Sequence, residues 1–379
     1  MRVLHLTRDF PPWHCGGISS AVGGLVRAQR RAGLGVAVVS FDTWRPRAGA
    51  NPPTSAEPPD GVAVLRVAAA LPDAVRAFAR AERPTLLHVH HGMLWDLAAT
   101  LRDDLGVPAV KSVHVVQQRM NELRGTGERT LSLAGQEAAL AAADRVVAPS
   151  RAAAGALLRV IPDLASRLRI AGHGIDDCAA ARVAAAHHDA VPSTGPLLTV
   201  GRFSDVKGTP DLFEVIGRVL ARVPSAEFIV AGGVPANPRA EARWLQRWHA
   251  TAPTAIQPRV CFTGWLDAAG LSARYQQAVA LVVSSRDETF GLAALEAMLH
   301  GLPVVATAAG GLPELIAHGE TGLLSPPGDV AALVDHAAAL AADPTLAQRF
   351  GRAAATTARR QHLWDTALPR LLAVYDEIG

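Results

Sequence analysis

The chain has 379 residues, more than one compact domain usually holds, so we expect two domains. Its composition, 49% hydrophobic and 19% charged, excludes a disordered protein and is typical of a soluble globular one. The 37 basic and 34 acidic residues are spread along the chain without a basic run, which argues against nucleic acid as a partner.

The sequence predicts neither a signal peptide nor a membrane-spanning helix. No stretch reaches the roughly 18 apolar residues of a membrane-spanning helix, and MRVLHLTRDF lacks the longer apolar core of a signal peptide. Cys15, Cys178 and Cys261 form no CxxC pair, which argues against disulfides or a zinc site. We expect a cytoplasmic protein with no transmembrane segment, and peripheral contact with a membrane stays open.

In the N-terminal half, short β-branched runs alternate with Ala/Leu-rich stretches that predict helices. A glycine-led helix is predicted at residues 16–31, and the proline-rich stretch 44–61 predicts a surface loop. The alternation predicts a parallel sheet covered by helices on both faces. The predicted strands are residues 3–7, 36–41, 62–67, 85–90, 109–115 and 145–148.

The alternation lapses at residues 179–196, which predict a linker, and then restarts. Thr209 and Pro210 predict the start of a helix over residues 210–223. The predicted strands are residues 197–200, 227–231, 259–263, 280–284 and 303–307.

The predicted fold class is α/β, with two Rossmann-like, doubly wound domains facing a central cleft. We expect an N-terminal domain at residues 1–180, a C-terminal domain at 197–360 and an amphipathic terminal helix at 361–379. In such sheets ligands bind at the carboxyl ends of the strands, so the loops after strands are candidate sites.

The first candidate loop, DFPPWHCGGISS, follows the first predicted strand. Gly16 and Gly17 open a helix there, and the N–H groups of a helix start can hold an anion; a plain tight turn is the alternative. The loop lacks the GxGxxG fingerprint of dinucleotide-binding proteins. Asp42, after the second strand, nevertheless keeps an NAD-dependent oxidoreductase among the alternatives.

The second loop, VGRFSDVKG, places Arg202 and Lys207 in a glycine-bounded turn after a strand. A leaving diphosphate needs a metal or fixed cations, and this pair supplies cations. A solvated surface pair is the alternative. Lys207 is one of only two lysines, with Lys111, which slightly favours a specific role for it.

The third loop lies in SSRDETFGLAALEAMLHGLPVVAT, residues 284–307. Glu288 falls in the loop, and a helix is predicted to begin near Gly291. The N–H groups of Phe290, Gly291 and Leu292 would then offer a second place for an anion.

The helix of this segment carries an acidic residue beside an apolar stripe. Leu292, Leu295 and Leu299 recur at helical spacing, so we expect them to face the core. Glu296 lies at the margin of the stripe, where a carboxylate needs a hydrogen-bond partner. The partner would be the hydroxyl groups of a ligand; a snorkelling or internally capped glutamate is the alternative.

Together these segments resemble the large retaining glycosyltransferase family 4, whose GT-B architecture is shared with glycogen and sucrose synthases. Glu288 and Glu296 match its E-x7-E signature, GRFSDVKG its G-R-x(4)-K-G element, and AAGGLPELIAHGETGLLSPPGD its usual continuation. In the N-terminal half, FPPWHCGGIS, LLHVHHG, KSVHVV and VVAPS are similar to motifs of that family in the same order.

The resemblance implies a role for each matching position of a nucleotide-sugar donor site. It implies that Glu296 holds the ribose hydroxyls and that Arg202 with Lys207 binds the diphosphate. It places Glu288 beside the hydroxyls of the donor sugar, and Gly17 where the backbone approaches the phosphate closely.

In the N-terminal half, the resemblance implies that His114 contacts the transferred sugar near the reaction centre. Where many relatives read N-G-V-D at the end of this domain, the present chain reads His173-Gly174-Ile175-Asp176. The turn is preserved in kind, and a role for the missing asparagine is not carried over.

Three histidines close in sequence raise the question of a metal. His88 and His90 would share one face of a strand while His91 points away, and no carboxylate or cysteine completes a ligand set. We therefore predict no metal site and no cofactor, with the nucleoside diphosphate sugar acting as a substrate.

The predicted reaction is transfer of a hexose-like unit from a nucleoside diphosphate sugar to an acceptor hydroxyl. Metal-independent catalysis and retention of anomeric configuration are implied by the resemblance. The base stays open, with a UDP-sugar as one candidate donor, and so do the sugar and the acceptor. The alternatives are a nucleotide-sugar epimerase of GT-B shape and a non-enzymatic sugar-binding protein.

Overall fold

The computed structural model describes residues 1–11, 16–41, 61–67, 72–124, 131–177, 194–233 and 238–379. Most of the predicted loop at 44–61, most of the predicted linker at 179–196, and Asp42 lie outside the described residues. The chain forms two compact units: Met1–Ile175 with Trp364–Gly379, and Asp176–Leu363. We call them the first and the second unit.

The first unit is built on a seven-stranded parallel sheet of order β3-β2-β1-β4-β5-β6-β7. Its strands are β1 (Arg2–Thr7), β2 (Gly35–Ser40), β3 (Ala63–Arg66), β4 (Leu86–Val89), β5 (Ala109–Ser112), β6 (Arg145–Ala148) and β7 (Leu168–Ile170). Its helices are α1 (Gly17–Arg31), α2 (Pro72–Glu82), α3 (Trp95–Leu105), α4 (Gln117–Arg124), α5 (Leu131–Ala142) and α6 (Arg151–Val160), with short 3-10 turns at Gly92–Leu94 and Pro162–Ser166.

The second unit is built on a six-stranded parallel sheet of order β10-β9-β8-β11-β12-β13. Its strands are β8 (Leu197–Val200), β9 (Phe228–Ala231), β10 (Val260–Gly264), β11 (Ala280–Val283), β12 (Val304–Thr307) and β13 (Gly322–Ser325). Its helices are α7 (Thr209–Arg222), α8 (Pro238–Thr251), α9 (Ala268–Gln277), α10 (Leu292–Leu299), α11 (Leu312–Leu315), α12 (Val330–Ala342) and α13 (Pro344–His362), with a 3-10 turn at Gln257–Arg259.

In both sheets the strand order reverses at one point, because a later strand is added on the opposite side of the first strand. We call this place the reversal point of the sheet. In the first unit the chain builds β1, β2 and β3 outward and then places β4 on the other side of β1. In the second unit β11 is placed on the other side of β8 in the same way. The carboxyl ends of the two central strands therefore open on a crevice in each sheet, the position where doubly wound folds bind ligands.

Most strands are short runs of Val, Leu and Ala that are buried on both faces, as parallel sheets covered by helices require. Leu4, Leu6 and Leu87 are fully buried in the first unit, and Leu197 and Val282 in the second. The predicted α/β class with two doubly wound sheets is confirmed.

A last helix, α14 (Trp364–Asp376), returns to the first unit. Trp364 is buried against α1, and a Cβ atom on Gly24 or on Gly174 would lie 2.7 or 2.5 Å from the indole. Only glycine at these two positions leaves room for the ring. At the far end of the chain, Glu377 accepts hydrogen bonds from Arg145 and Arg169 at 2.7 and 2.8 Å.

Several predicted boundaries were wrong. The strand predicted at 109–115 ends at Ser112, and β7 and β13 were not predicted. The segment 361–378 is not one helix, because the chain breaks at Leu363 between α13 and α14. The N-cap of α7 is Gly208 and not Thr209, whose hydroxyl instead accepts a hydrogen bond from the Ser204 N–H at 2.8 Å.

None of the described helices is by itself long and apolar enough to cross a membrane. The helices α12 and α13 meet the test of length and composition only as a pair, which is bent by 102°.

Candidate active site

The two motif-bearing loops of the second unit lie side by side at the reversal point of its sheet, after β8 and β11. Gly208 makes this approach possible, since its φ is +64° and a Cβ atom would lie 1.9 Å from the Ser284 carbonyl oxygen. The Ser284 hydroxyl donates to the carbonyl groups of Lys207 and Gly208 at 3.1 and 3.0 Å. The backbone of one loop therefore rests on the other.

Opposite charges meet where these loops touch. Lys207 Nζ donates to Glu288 Oε2 at 2.5 Å, and the two side chains are 33% and 17% exposed. Arg202 lies exposed at the start of the same loop as Lys207. Within the second unit, the loop of Lys207 and the loop of Glu288 are thus joined by a partly solvated ion pair.

A second ion pair, which the sequence reading missed, holds the same loops together. Arg286 makes a two-pronged contact with Asp211, at 3.0 Å from Nε and 2.8 Å from Nη2. This hydrogen-bonded partner raises the pKa of the guanidinium. The Arg286 N–H also donates to the Val206 carbonyl at 2.8 Å. These contacts fix the loop that carries Lys207.

The helix after Glu288 begins close to its predicted start. Leu292 is the first residue of α10, and Gly291 precedes it with φ +106°. Phe290 is buried at 6% exposure. The backbone of Glu288 is also held by the loop after β12, because its carbonyl accepts the Gly311 N–H at 2.7 Å. Gly310 allows this close approach, since a Cβ atom there would lie 2.0 Å from the same oxygen.

The buried face of α10 differs from the predicted stripe at Leu292. Leu295 and Leu299 are buried, whereas Leu292 is only partly buried. Glu296 already has an internal partner, because the Tyr275 hydroxyl donates to its Oε2 at 3.0 Å. Burial raises the pKa of Glu296 and the hydrogen bond from Tyr275 lowers it. The internal partner, one of the two alternatives from the sequence, is therefore present.

In the first unit, α1 starts at Gly17 with Gly16 at its N-cap position, as the glycine pair predicts. Gly16 has φ +139°, which L side chains rarely adopt, and among the described residues, its chain neighbours aside, no atom lies within 4 Å of the position of its Cβ. The loop before it, residues 12–15, lies outside the described residues. The anion-binding role of this helix start stays a prediction.

His114 lies just beyond β5 and is partly buried. Its Nε2 is 3.0 Å from Nδ1 of His90, and its ring stacks on His173 at 5.2 Å and 6°. Burial lowers the pKa of His114 well below 6.5, and the neighbouring charges of His173 and Lys111 lower it further. The imidazole is therefore neutral at pH 7.

Lys111 supports the ends of β4 and β5 from inside the protein. Its Nζ donates to the carbonyls of Ser112, His90 and Val89 at 2.5, 2.9 and 3.4 Å. Burial lowers the pKa of Lys111 from 10.5 to about 7. Lys111 therefore has a buried, structural position, whereas Lys207, the other lysine of the chain, is partly exposed in its loop.

His88 and His90 lie together and His91 lies apart from them, as predicted, but the sequence reading missed a third histidine, His5. His88 and His90 are joined by His5, and one ring nitrogen of each lies within 4.8 Å of the others. His91 instead accepts the Arg8 N–H at 3.2 Å. The trio could have been found from register, because His5 and His88 are opposite each other in β1 and β4.

Two protein families match the chain, one in each half. Residues 15–177 match the family described as Glycosyltransferase Family 4, and residues 194–343 the family described as Glycosyl transferases group 1.

Curated relatives match almost the whole length. A D-inositol 3-phosphate glycosyltransferase of Kribbella flavida is 30% identical over 92% of this chain and 88% of its own length. A glycogen synthase of Mycobacterium tuberculosis is 29% identical over 99% of this chain and 94% of its own.

Solved structures share the fold. A sucrose-phosphate synthase from Thermosynechococcus elongatus superposes with a TM-score of 0.79 at 23% identity, covering 100% of this chain and 99% of its own. An Anabaena protein, HepE, in complex with UDP-glucose gives a TM-score of 0.74 at 20% identity, with 100% of both chains covered.

Proposed function

This chain belongs to glycosyltransferase family 4, and from that premise we propose that it transfers a hexose-like unit from a nucleoside diphosphate sugar to an acceptor hydroxyl, with retention of anomeric configuration. It is a glycosyltransferase of the GT-B type; the donor class and the stereochemical course are the proposal. The observation that carries it is the meeting of Lys207 and Glu288 at the reversal point of the second sheet.

The charges at this point suit a diphosphate leaving group. Lys207 has three N–H donors and uses one on Glu288, so it can hold a phosphate oxygen while keeping the carboxylate in place. Arg202, exposed on the same loop, adds a second fixed cation. Negative charge that develops on the leaving diphosphate would be stabilised by this pair and by the N–H groups at the start of α10, without a metal.

The two glutamates then differ in role. Glu296 is on the helix and its Oε2 is engaged by Tyr275, so its carboxylate is held to accept from the ribose hydroxyls. Glu288 is in the loop beside Lys207 and would bind hydroxyls of the donor sugar. The relatives are named as transferases and synthases, which favours transfer over epimerisation or simple sugar binding. A UDP-sugar is a candidate donor because the HepE structure contains UDP-glucose.

The test is a thermal-shift series with UDP-, GDP-, ADP- and dTDP-sugars, followed by a transfer assay with the nucleotide sugar that stabilises most. We expect one base to raise the melting temperature clearly above the others. Incubating the stabilising donor without an acceptor separates the alternatives: conversion into another nucleotide sugar would identify an epimerase. No stabilisation by any nucleotide sugar would contradict the donor class.

A further inference from the structure

The segment that carries Lys207 is not cationic by composition. Residues 202–211 contain two basic side chains, Arg202 and Lys207, and two acidic ones, Asp205 and Asp211, so their formal charges cancel. The proposed function nevertheless requires this segment to hold a diphosphate. Its ability to do so depends on what neutralises the two carboxylates.

Asp211 is a largely buried carboxylate at the start of α7. It lies in the first turn of the helix, directly after the loop, and Gly208 occupies the N-cap position. The N–H groups of a helix start attract anions, so a place that would favour a phosphate already carries a negative charge. The side chain is only 16% exposed, and its charge is therefore poorly screened by water. Without a partner, Asp211 would repel a diphosphate held by Lys207.

Arg286, from the loop after β11, is the partner of this carboxylate. Its Nε donates to one oxygen of Asp211 at 3.0 Å and its Nη2 to the other at 2.8 Å, so both oxygens are engaged. The hydrogen bonds with Asp211 and, more weakly, the charge of Asp205 raise the pKa of the guanidinium. One cation from outside the segment therefore acts on both of its carboxylates.

The two loops are also joined by bonds that do not involve this ion pair. The N–H groups of Arg286 and Asp287 donate to the Val206 carbonyl at 2.8 and 3.4 Å. The Ser284 hydroxyl donates to the Lys207 carbonyl at 3.1 Å. None of these bonds uses the guanidinium or the carboxylate of the pair. The ion pair therefore adds a change of charge to a connection that other bonds already make.

We propose that Arg286 neutralises the carboxylates of residues 202–211, Asp211 above all, so that this segment presents a net positive charge to the diphosphate of the donor. The diphosphate is that of the proposed function, on which this inference rests. Arg286 acts through Asp211 and not by touching the donor, so it is a positioning residue.

A purely structural ion pair is the competing explanation, and the two explanations differ in what they predict for Asp211. If the pair only holds the loops in place, Asp211→Asn and Arg286→Met both break it and both should weaken nucleotide binding. If Arg286 acts by charge, only Arg286→Met should weaken binding, because Asp211→Asn removes the repelling carboxylate itself. The double variant should then recover the wild-type affinity, since its net charge equals that of the wild type.

The test is titration calorimetry of the full chain with UDP, GDP, ADP and dTDP, continued with the diphosphate that binds most tightly and with its monophosphate. For Arg286→Met we expect the affinity for the diphosphate to fall about tenfold in about 0.1 M salt. Asp211→Asn should bind at least as tightly as the wild type. The double variant Arg286→Met/Asp211→Asn should bind within about twofold of the wild type.

Two further readouts separate charge from structure. The loss in Arg286→Met should shrink in about 1 M salt, where the Debye length falls to roughly 3 Å. It should also be smaller for the monophosphate, which carries less charge than the diphosphate. A displaced loop would weaken both nucleotides alike, at low and at high salt, and that result would overturn the proposal.

The matched control is Arg222→Met. It removes the same charge from the last turn of α7, where Arg222 pairs with the exposed Asp335, and should leave the affinity for the diphosphate unchanged. Circular dichroism checks that each variant folds. If Arg286→Met does not fold, Asp211→Asn still decides, because a loss of affinity in that variant overturns the proposal.

Wild-type affinity in a folded Arg286→Met also overturns it. Failure of the proposed function gives a different result. A wild-type protein that binds none of the four nucleoside diphosphates contradicts the donor class and this inference with it. A protein that binds one of them equally well with and without the Arg286 guanidinium contradicts this inference alone.

Discussion

The two units place polar side chains at the same topological position and treat charge in opposite ways. At the reversal point of the second sheet, Lys207 and Glu288 form a partly solvated ion pair. At that of the first sheet, His5 and His88 are buried and neutral. A solvated ion pair can exchange one partner for a charged ligand. Buried, neutral histidines cannot exchange a partner for a charged ligand in this way. Their hydrogen bonds determine which ring nitrogen carries the proton.

The largest expected effect is on the first unit in acid. Burial lowers the pKa values of His5 and His173 from 6.5 to about 4. Between these values the unfolded chain binds more protons than the folded one, so stability falls as the pH is lowered from 6.5 to 4, by about 3 kcal/mol for each histidine. Hydrogen exchange should accelerate in peptides of β1, β4 and β5. If the exchange protection of these peptides stays constant down to pH 4, the prediction that the first unit loses stability in acid is contradicted.

The next effect tests the charged side of the comparison. Lys207→Ala and Arg202→Ala should each lower turnover by about 10²- to 10³-fold, because each removes a cation that stabilises the leaving diphosphate. The matched control is Arg218→Ala, which removes an exposed cation paired with Glu214 on α7 and should leave turnover unchanged. Circular dichroism checks the fold. Near-normal turnover in both loop variants would contradict the assignment.

A smaller effect separates the two glutamates. Glu296→Gln should weaken binding of the free nucleoside diphosphate by about ten- to a hundredfold, since one charge-assisted hydrogen bond to the ribose is lost. Glu288→Gln should leave that affinity nearly unchanged and lower turnover, because Glu288 is assigned to the sugar. Titration calorimetry with the free nucleotide measures both, and the reverse pattern would exchange the two roles.

The smallest expected effect is that of chelation. If Arg202, Lys207 and the start of α10 together neutralise the diphosphate, activity should survive EDTA within the error of the assay. Loss of activity with EDTA and its recovery with magnesium or manganese would mean that the charged loops of the second unit are not sufficient by themselves.

The two units also differ in how much of them could be predicted. Lys207 and Glu288 belong to continuous motifs after strands, so the sequence predicts their loops, and the alternation of strands and helices predicts both sheets. Gln29 and Tyr375 are 346 positions apart and meet only because α14 packs on α1. The partnership of Glu296 with Tyr275 likewise depends on packing of α9 against α10. Such contacts leave no local pattern.

Because α14 returns to the first unit, that unit cannot be completed until the second unit has been synthesised. Ribosomes make Met1–Ile175 first, then the whole of Asp176–Leu363, and only then the segment Trp364–Gly379 that completes the first unit. During synthesis the first unit therefore lacks Trp364, which packs against Gly24 and Gly174 in the complete protein. Until α14 is made, the apolar face that it covers is exposed. A stop codon just before Trp364 would leave the second unit complete. The first unit would lack α14 and would be exposed to chaperones and proteases.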